Sequence, residues 1–197
     1  VLCEDIFAMI RDRYNEIIAE CGLHISLGKE FDALWDKMKN GISQDELASR
    51  GEYFSARLMA EYLGYEFVDA ARWIKFKFDG TVDQDASYAA LRSLAEDRKV
   101  VIPGFYGVMP DGHIRTFSRG GSDITGALAA AALGADTARP VLVLTDDDNA
   151  ANRFAADLRG FSEREVVVLP PRELVMADVA GVSRGYEQAR LAALDTL

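Results

Sequence analysis

The sequence of 197 residues predicts an α/β fold, and three observations carry that prediction. Apolar residues recur at helical spacing in several segments, short β-branched and aromatic runs fall between them, and Gly, Pro and Asp punctuate the junctions. Helices that alternate with strands bury their apolar faces best as stacked layers. With 49% apolar residues the chain can fill one core and carry an appendage, but it is too short for two large domains.

The elements follow in order. Ile6, Phe7, Ile10, Tyr14, Ile17 and Ile18 lie on one helical face, and Gly22 stops that amphipathic, core-facing helix. Phe31, Leu34, Trp35 and Met38 repeat the pattern in a second helix that ends near Gly41. Ser43 and Glu46 have the spacing of a capping box and open a third helix running toward Leu63 and Gly64. Residues 66–68 read as a short strand, residues 75–78 as an extended, half-exposed segment, and residues 85–95 as a helix. Residues 100–102 form a buried strand, and Pro110-Asp111-Gly112 turns a hairpin back into a strand over 114–117. Residues 124–133 are an alanine-rich helix.

Net charge is −10, so a general attraction to nucleic acid or to an anionic membrane is not expected. The longest apolar run, near 127–133, falls well short of the ~20 residues of a membrane span, and no signal peptide opens the chain. Cys3 and Cys21 have no CxxC spacing and would be too far apart on one helix to bridge, which points to a reducing cytoplasm. The first residue is Val, which suggests a processed, excised or incomplete N-terminus. His24 and His113 stand without ligand-spaced Cys or carboxylate partners, so no metal site is expected from them. The run Asp146-Asp147-Asp148 is read as solvated or as a helix cap rather than a Mg²⁺ site.

The most informative stretch is 117–126, Phe-Ser-Arg-Gly-Gly-Ser-Asp-Ile-Thr-Gly. It sets Arg119, Gly120, Gly121, Ser122 and Asp123 where a strand gives way to a helix. Adjacent glycines allow a positive φ or close approach of a ligand, and the first N–H groups of the helix have no intrahelical partner, so a carboxylate or phosphate suits the position. Arg119 adds a planar fork of donors, and Asp123 the opposite charge. The plainer alternative is a glycine turn before a helix capped by Ser122 or Asp123.

Residues 100–136, with Val-Ile-Pro-Gly-Phe-Tyr-Gly, Asp-Gly-His-Ile-Arg-Thr-Phe and Ser-Arg-Gly-Gly-Ser-Asp-Ile-Thr-Gly-Ala-Leu, resemble the catalytic domain of aspartokinases. Residues 44–60, which contain Ser-Arg-Gly-Glu, are similar to that family's Ser-x-Gly-Glu helix, and the match covers about residues 4–137. The resemblance implies a three-layer α/β/α amino-acid-kinase sandwich and transfer of the terminal phosphoryl of Mg-ATP to the side-chain carboxylate of L-aspartate, a step in lysine, threonine and methionine biosynthesis. It implies Asp123 as the catalytic aspartate, Arg119 on the substrate carboxylate, Ser122 as a further donor and Glu52 on the substrate ammonium, with Gly120 and Gly121 in the substrate loop. Gly104, Phe105 and Gly107 would shape the pocket wall. A cytoplasmic enzyme, with a homo-oligomer as an open alternative to a monomer, is the accompanying expectation. Two departures stand out. The family's Lys-Phe-Gly-Gly strand has no counterpart here, and in place of its Trp-Thr-Asp-Val-x-Gly segment the chain reads Val-Leu-Val-Leu-Thr-Asp-Asp-Asp, in which Thr145 and Asp146 are weak nucleotide-site candidates. An incomplete or inactive site is therefore expected in this chain.

The composition changes near Thr137. Every lysine lies at or before Lys99, and the last 60 residues contain seven arginines and three aromatics, Phe154, Phe161 and Tyr186. Residues 140–197 resemble the N-terminal region of transcription-repair coupling factors. Read from the residues alone they are a βαβ unit, with strands over 141–144 and 166–169 around a helix over 149–159 and a closing helix through Leu197 on which Tyr186, Ala189, Arg190, Ala193 and Leu197 form a packing face. The expected division is a partial catalytic domain over 1–137 and a βαβ segment over 138–197. The alternative to an aspartokinase-like activity is a non-catalytic chimera or a protein-interaction module like that of a repair factor.

Overall fold

A computed structural model describes residues 2–95, 98–118, 120–135, 140–170 and 184–195. The chain divides into two compact units, Val1–Gly121 and Ser122–Leu197. The division falls ahead of the compositional break near Thr137.

The first unit opens with three helices, α1 (Leu2–Glu20), α2 (Gly28–Asn40) and α3 (Gln44–Leu63). Gly22, Gly41 and Gly64 follow them at φ of +62°, +93° and +66°, a left-handed conformation that suits the residue after a helix and that a Cβ would strain. Leu27, Phe31, Leu34, Phe54 and Leu58 form the core between them, and Phe7, Tyr14, Ile17 and Ile18 of α1 pack on it. The Phe31 and Phe54 rings stack at 4.3 Å and 11°. Ile6 and Ile10, expected on the buried face of α1, are 49% and 47% exposed. Alpha-helical spacing defines an apolar stripe wider than the strip that α2 and α3 cover, so these two side chains line an apolar groove instead. Ser43 caps α3 by accepting from the Glu46 N–H at 3.1 Å, while the Glu46 carboxylate turns to Lys37 Nζ at 2.5 Å.

Beyond α3 come β1 (Glu66–Phe67), the one-turn helix α4 (Ala70–Trp73), α5 (Gln84–Ala95), β2 (Val100–Val101), β3 (Tyr106–Val108) and β4 (Ile114–Thr116). Strand β1 pairs in parallel with β2, Glu66 opposite Val100, and β3 pairs antiparallel with β4, Tyr106 opposite Thr116. The expected hairpin forms: Met109 N–H donates to the His113 carbonyl, and Gly112 takes a φ of +88°. Strand β2 is half-buried rather than buried, because among the described residues its ladder has β1 as its single neighbour. The extended segment over 75–78 makes isolated bridges from Lys75 to Val108 and from Phe76 to Val82, with Phe76 buried and Phe78 82% exposed. Sequence spacing could not reveal α4, whose four residues are too few to show a period; Asp69 caps it by accepting from Ala71 N–H at 3.0 Å. Its Trp73, with Ile74, Leu91 and Tyr106, is fully buried in a second core.

The second unit contains most of α6 (Gly121–Gly134), then α7 (Asp148–Phe161) and α8 (Arg184–Asp195). Ala127, Leu128 and Ala132 of α6 are fully buried, and its small residues let α7 come close: a Cβ on Gly126 would stand 2.7 Å from the Phe154 ring. Segments 141–144 and 166–169, expected as strands, join no ladder among the described residues. Leu142 and Leu144 are 79% and 84% exposed. A strand is stable only with a neighbour that takes its backbone hydrogen bonds, and here the Val166 carbonyl accepts from Arg159 Nη2 at 2.9 Å instead. Helix α7 is as expected, and Ala193 of α8 is buried, whereas Ala189 is exposed. The side chains of Tyr186 and Leu197, assigned to the same face, lie outside the described residues. No described helix is long and apolar enough to cross a membrane.

Gly107 tests the packing of the second core. A Cβ there would lie 2.7 Å from the Ile74 carbonyl oxygen, and backbone cannot step aside as a flexible side chain can. Gly107→Ala is expected to destabilise by about 2–3 kcal/mol, read as a lower urea midpoint with an unchanged slope; an unaltered midpoint would show that the contact is not tight.

Candidate functional site

The residues singled out by the sequence fall in both units. Glu52 projects from α3 as an exposed carboxylate with no ion-pair partner among the described residues. Gly51 precedes it in mid-helix, where glycine costs about 1 kcal/mol relative to alanine. A Cβ at Gly51 would meet nothing within 4 Å, so packing among the described residues does not require the glycine; the Tyr14 hydroxyl donates to its carbonyl at 3.2 Å.

Between β4 and α6 the chain makes the glycine loop. Arg119 lies outside the described residues. Gly120 has a φ of +55°, and Gly121 is the first residue of α6. A Cβ on Gly121 would stand 2.7 Å from the Phe105 Cα. Phe105 is itself in the left-handed region at φ +64°, a strain of roughly 1–2 kcal/mol for a residue with a side chain. The Phe117 N–H donates to the Phe105 carbonyl at 2.9 Å and holds it there. Each glycine of the pair thus has its own reason: Gly120 supplies the backbone angle, and Gly121 leaves room for Phe105. Gly107, expected in the pocket wall, is packed against Ile74.

Behind this turn lies a set of residues that sequence reading passed over. Tyr106 is fully buried, and its hydroxyl donates to Asp69 Oδ1 at 2.7 Å. The Arg50 guanidinium stands over the Tyr53 ring at 4.7 Å and the Tyr106 ring at 5.5 Å, and it donates from Nε and Nη2 to the buried Ser49 hydroxyl at 3.1 and 2.9 Å. Near the start of α3, Asp45 accepts from the Thr116 hydroxyl at 2.9 Å. The signal available was the arginine inside Ser-Arg-Gly-Glu, which the acidic residue beside it overshadowed.

In the second unit Ser122 is exposed and Asp123 partly exposed, both inside the first turn of α6 rather than at its cap. Acidic charge is favourable at that end of a helix. Asp123 Oδ2 faces Arg153 Nε of α7 at 3.9 Å. Both partners are largely solvated, so the pair contributes little to stability but sets a cation beside the candidate catalytic carboxylate. Thr145 and Asp146 make local contacts: the Thr145 hydroxyl donates to the Asp147 carbonyl at 3.2 Å, Asp146 Oδ1 accepts from the Asp147 N–H at 3.1 Å, and Asp147 caps α7. They make no hydrogen bond to Asp123 among the described residues. The described residues contain no group of three or more His, Cys, Asp or Glu able to hold a metal ion.

A groove of about 600 Å³ also opens between α1, α2 and α3, lined by Ile6, Phe7, Ile10, Leu47 and Arg50 among others. Its hydrocarbon walls do not suit a phosphate.

The sequence profile of the amino acid kinase family matches residues 10–168. Aspartokinase 3 of Bacillus subtilis (strain 168) is 37% identical over 101 residues, 47% of this chain and 22% of that protein. The crystal structure of Clostridium acetobutylicum aspartate kinase superposes with a TM-score of 0.64 at 40% identity, covering 68% of this chain and 31% of that one. A structure of E. coli aspartokinase III in complex with aspartate and ADP gives a TM-score of 0.54 at 25% identity over 65% of this chain and 34% of that one. The chain thus spans between about a fifth and a third of these relatives' lengths.

The buried tyrosine has a pH signature. Burial, with the Asp69 carboxylate beside it, holds the Tyr106 phenol far above its ordinary value of 10.0. Above that value the unfolded chain loses a proton that the folded chain keeps, so this contribution to stability is complete below about pH 10 and falls as pH rises further. Thermal unfolding followed from about pH 8 to 11 should show the decline. Tyr106→Phe should shrink its slope without abolishing it, since burial also raises Tyr53 and Tyr88. A slope unchanged by the substitution would contradict the assignment.

Proposed function

The chain belongs to the amino acid kinase family, and we propose that it carries the acceptor side of an aspartokinase site, binding L-aspartate so that its side-chain carboxylate receives the terminal phosphoryl of ATP. In this reading Arg119 grips a substrate carboxylate with its two-pronged fork, Ser122 adds a hydroxyl donor, and Gly120 and Gly121 leave the backbone open to the ligand. Glu52 receives the substrate ammonium. Asp123 orients the attacking carboxylate, and Arg153 beside it balances its charge. Phosphoryl transfer depends chiefly on such positioning and on neutralising charge at the transferring group.

The observation that carries the reading is the loop at the start of α6, where the left-handed Gly120 and the close seat of Gly121 on Phe105 open a helix N-terminus directly after Arg119. A relative of this chain is described in complex with aspartate and ADP, which supports the ligand class. ATP would supply the phosphoryl group and Mg²⁺ the neutralising charge in the whole enzyme. Among the described residues Thr145 and Asp146 hydrogen-bond locally to Asp147, the cap of α7, and no group of three or more His, Cys, Asp or Glu converges to hold a metal ion.

Calorimetric titration with L-aspartate tests the reading. The wild-type chain should bind, and Arg119→Ala should lose about 2 kcal/mol, roughly thirtyfold in Kd, as expected for a charged hydrogen bond. Asp123→Asn should bind L-aspartate almost as tightly as wild type, because its role lies in transfer. Absence of binding by the wild-type chain would sink the proposal.

A further inference from the structure

We propose that Arg50 is a positioning residue for the acceptor site, holding Glu52 in register with the turn at Phe105 and Tyr106 by clamping α3 against β3. The inference rests on the reading of Glu52 as the group that meets the substrate ammonium.

The clamp is built from both sides. On α3, the Arg50 guanidinium is tied to the buried Ser49 hydroxyl, which in turn donates to the Glu46 carbonyl at 2.7 Å, so the plane of the fork is fixed relative to its own helix. Toward β3, that plane lies over the rings of Tyr53 and Tyr106. Tyr106 cannot swing away, because it is fully buried and its hydroxyl is bonded to Asp69, whose Oδ1 also caps α4. A second tie, Thr116 to Asp45, holds the first turn of α3 to β4. Two ties at separate points along a helix fix its rotation as well as its place. Glu52 stands two residues beyond Arg50 and, having no ion-pair partner of its own among the described residues, takes its direction from the helix that carries it. The hairpin to which the helix is tied runs directly into the glycine loop. A cation over an aromatic face is attracted to it, and Arg supplies a flat surface that Lys lacks.

The experiment compares two ligands on the full chain, L-aspartate and succinate, which carries the same two carboxylates without the ammonium. Wild type should prefer L-aspartate. Arg50→Met should lose at least about fivefold in L-aspartate affinity while succinate affinity changes little, because misplacing Glu52 harms only a ligand that has an ammonium. Glu52→Gln should give the same pattern. Arg50→Lys, which keeps charge without the planar stack, should fall between wild type and Arg50→Met, and it carries the test if the Met variant does not fold. An equal loss for both ligands would mean that Arg50 is merely structural, and an unchanged preference for L-aspartate would overturn the inference alone. Binding of neither ligand, or of both equally, by the wild-type chain would overturn the Glu52 reading and this inference with it.

Discussion

Helix α3 must satisfy two cores at once, and the first unit depends on that constraint. Phe54 and Leu58 go to the helical core, where Phe54 stacks on Phe31. Tyr53 turns edge-on to Phe67 of β1, while Asp45 and Arg50 reach β4 and β3. Small buried residues, Ala56 and Ala60, allow close approach along the rest of the helix. With so many faces committed, a rotation of α3 that relieved one contact would break another. This is how a helix of moderate amphipathicity acquires a single orientation, which fixes where the Cα–Cβ bond of the exposed Glu52 leaves the helix.

The second constraint is steric. Phe105 in the left-handed region is one strained backbone angle, and Gly107 against Ile74 and Gly121 against Phe105 are two close approaches, all three at positions from 105 to 121. Strain of this kind persists only where the surroundings over-determine the backbone. Here the Phe117 N–H bond to the Phe105 carbonyl, the hairpin register and the buried Tyr106 supply that over-determination. The arrangement fixes the exit of β4 into the glycine loop, with Tyr106 anchored on the Asp69 carboxylate.

Much of this was legible in the sequence because it is local. Apolar spacing gave α1 to α3, the glycines after each gave their ends, and Pro-Asp-Gly gave the hairpin. Ser122 and Asp123 were correctly set at the head of a helix, although Gly121 already belongs to it. What escaped is non-local or too short. Helix α4 has four residues, Phe105's backbone angle follows from its neighbours in space, and the Arg50 clamp needs Tyr106, which lies 56 positions away in the chain. The apolar runs at 141–144 and 166–169 have strand composition, but composition cannot supply the neighbour that a strand needs. The exposure of Ile6 and Ile10 likewise depends on how much of α1 its neighbours cover.

Gly51 sharpens the case for a ligand beside α3 more than Glu52 does. An exposed carboxylate on a helix is ordinary, and this chain has several: Glu16 of α1 pairs with Arg13 at 3.1 Å and Asp36 of α2 with Lys39 at 2.7 Å, with no site implied. A glycine in the middle of a twenty-residue helix lowers its stability by about 1 kcal/mol and needs a compensating reason. Gly107 and Gly121 sit where a Cβ would strike backbone, and Gly22, Gly41 and Gly64 take positive φ, whereas Gly28 at the start of α2 needs neither. At Gly51 neither applies: φ is helical, and the space is open. Among the described residues nothing occupies the space beside its Cα, on the turn of α3 that also carries Glu52.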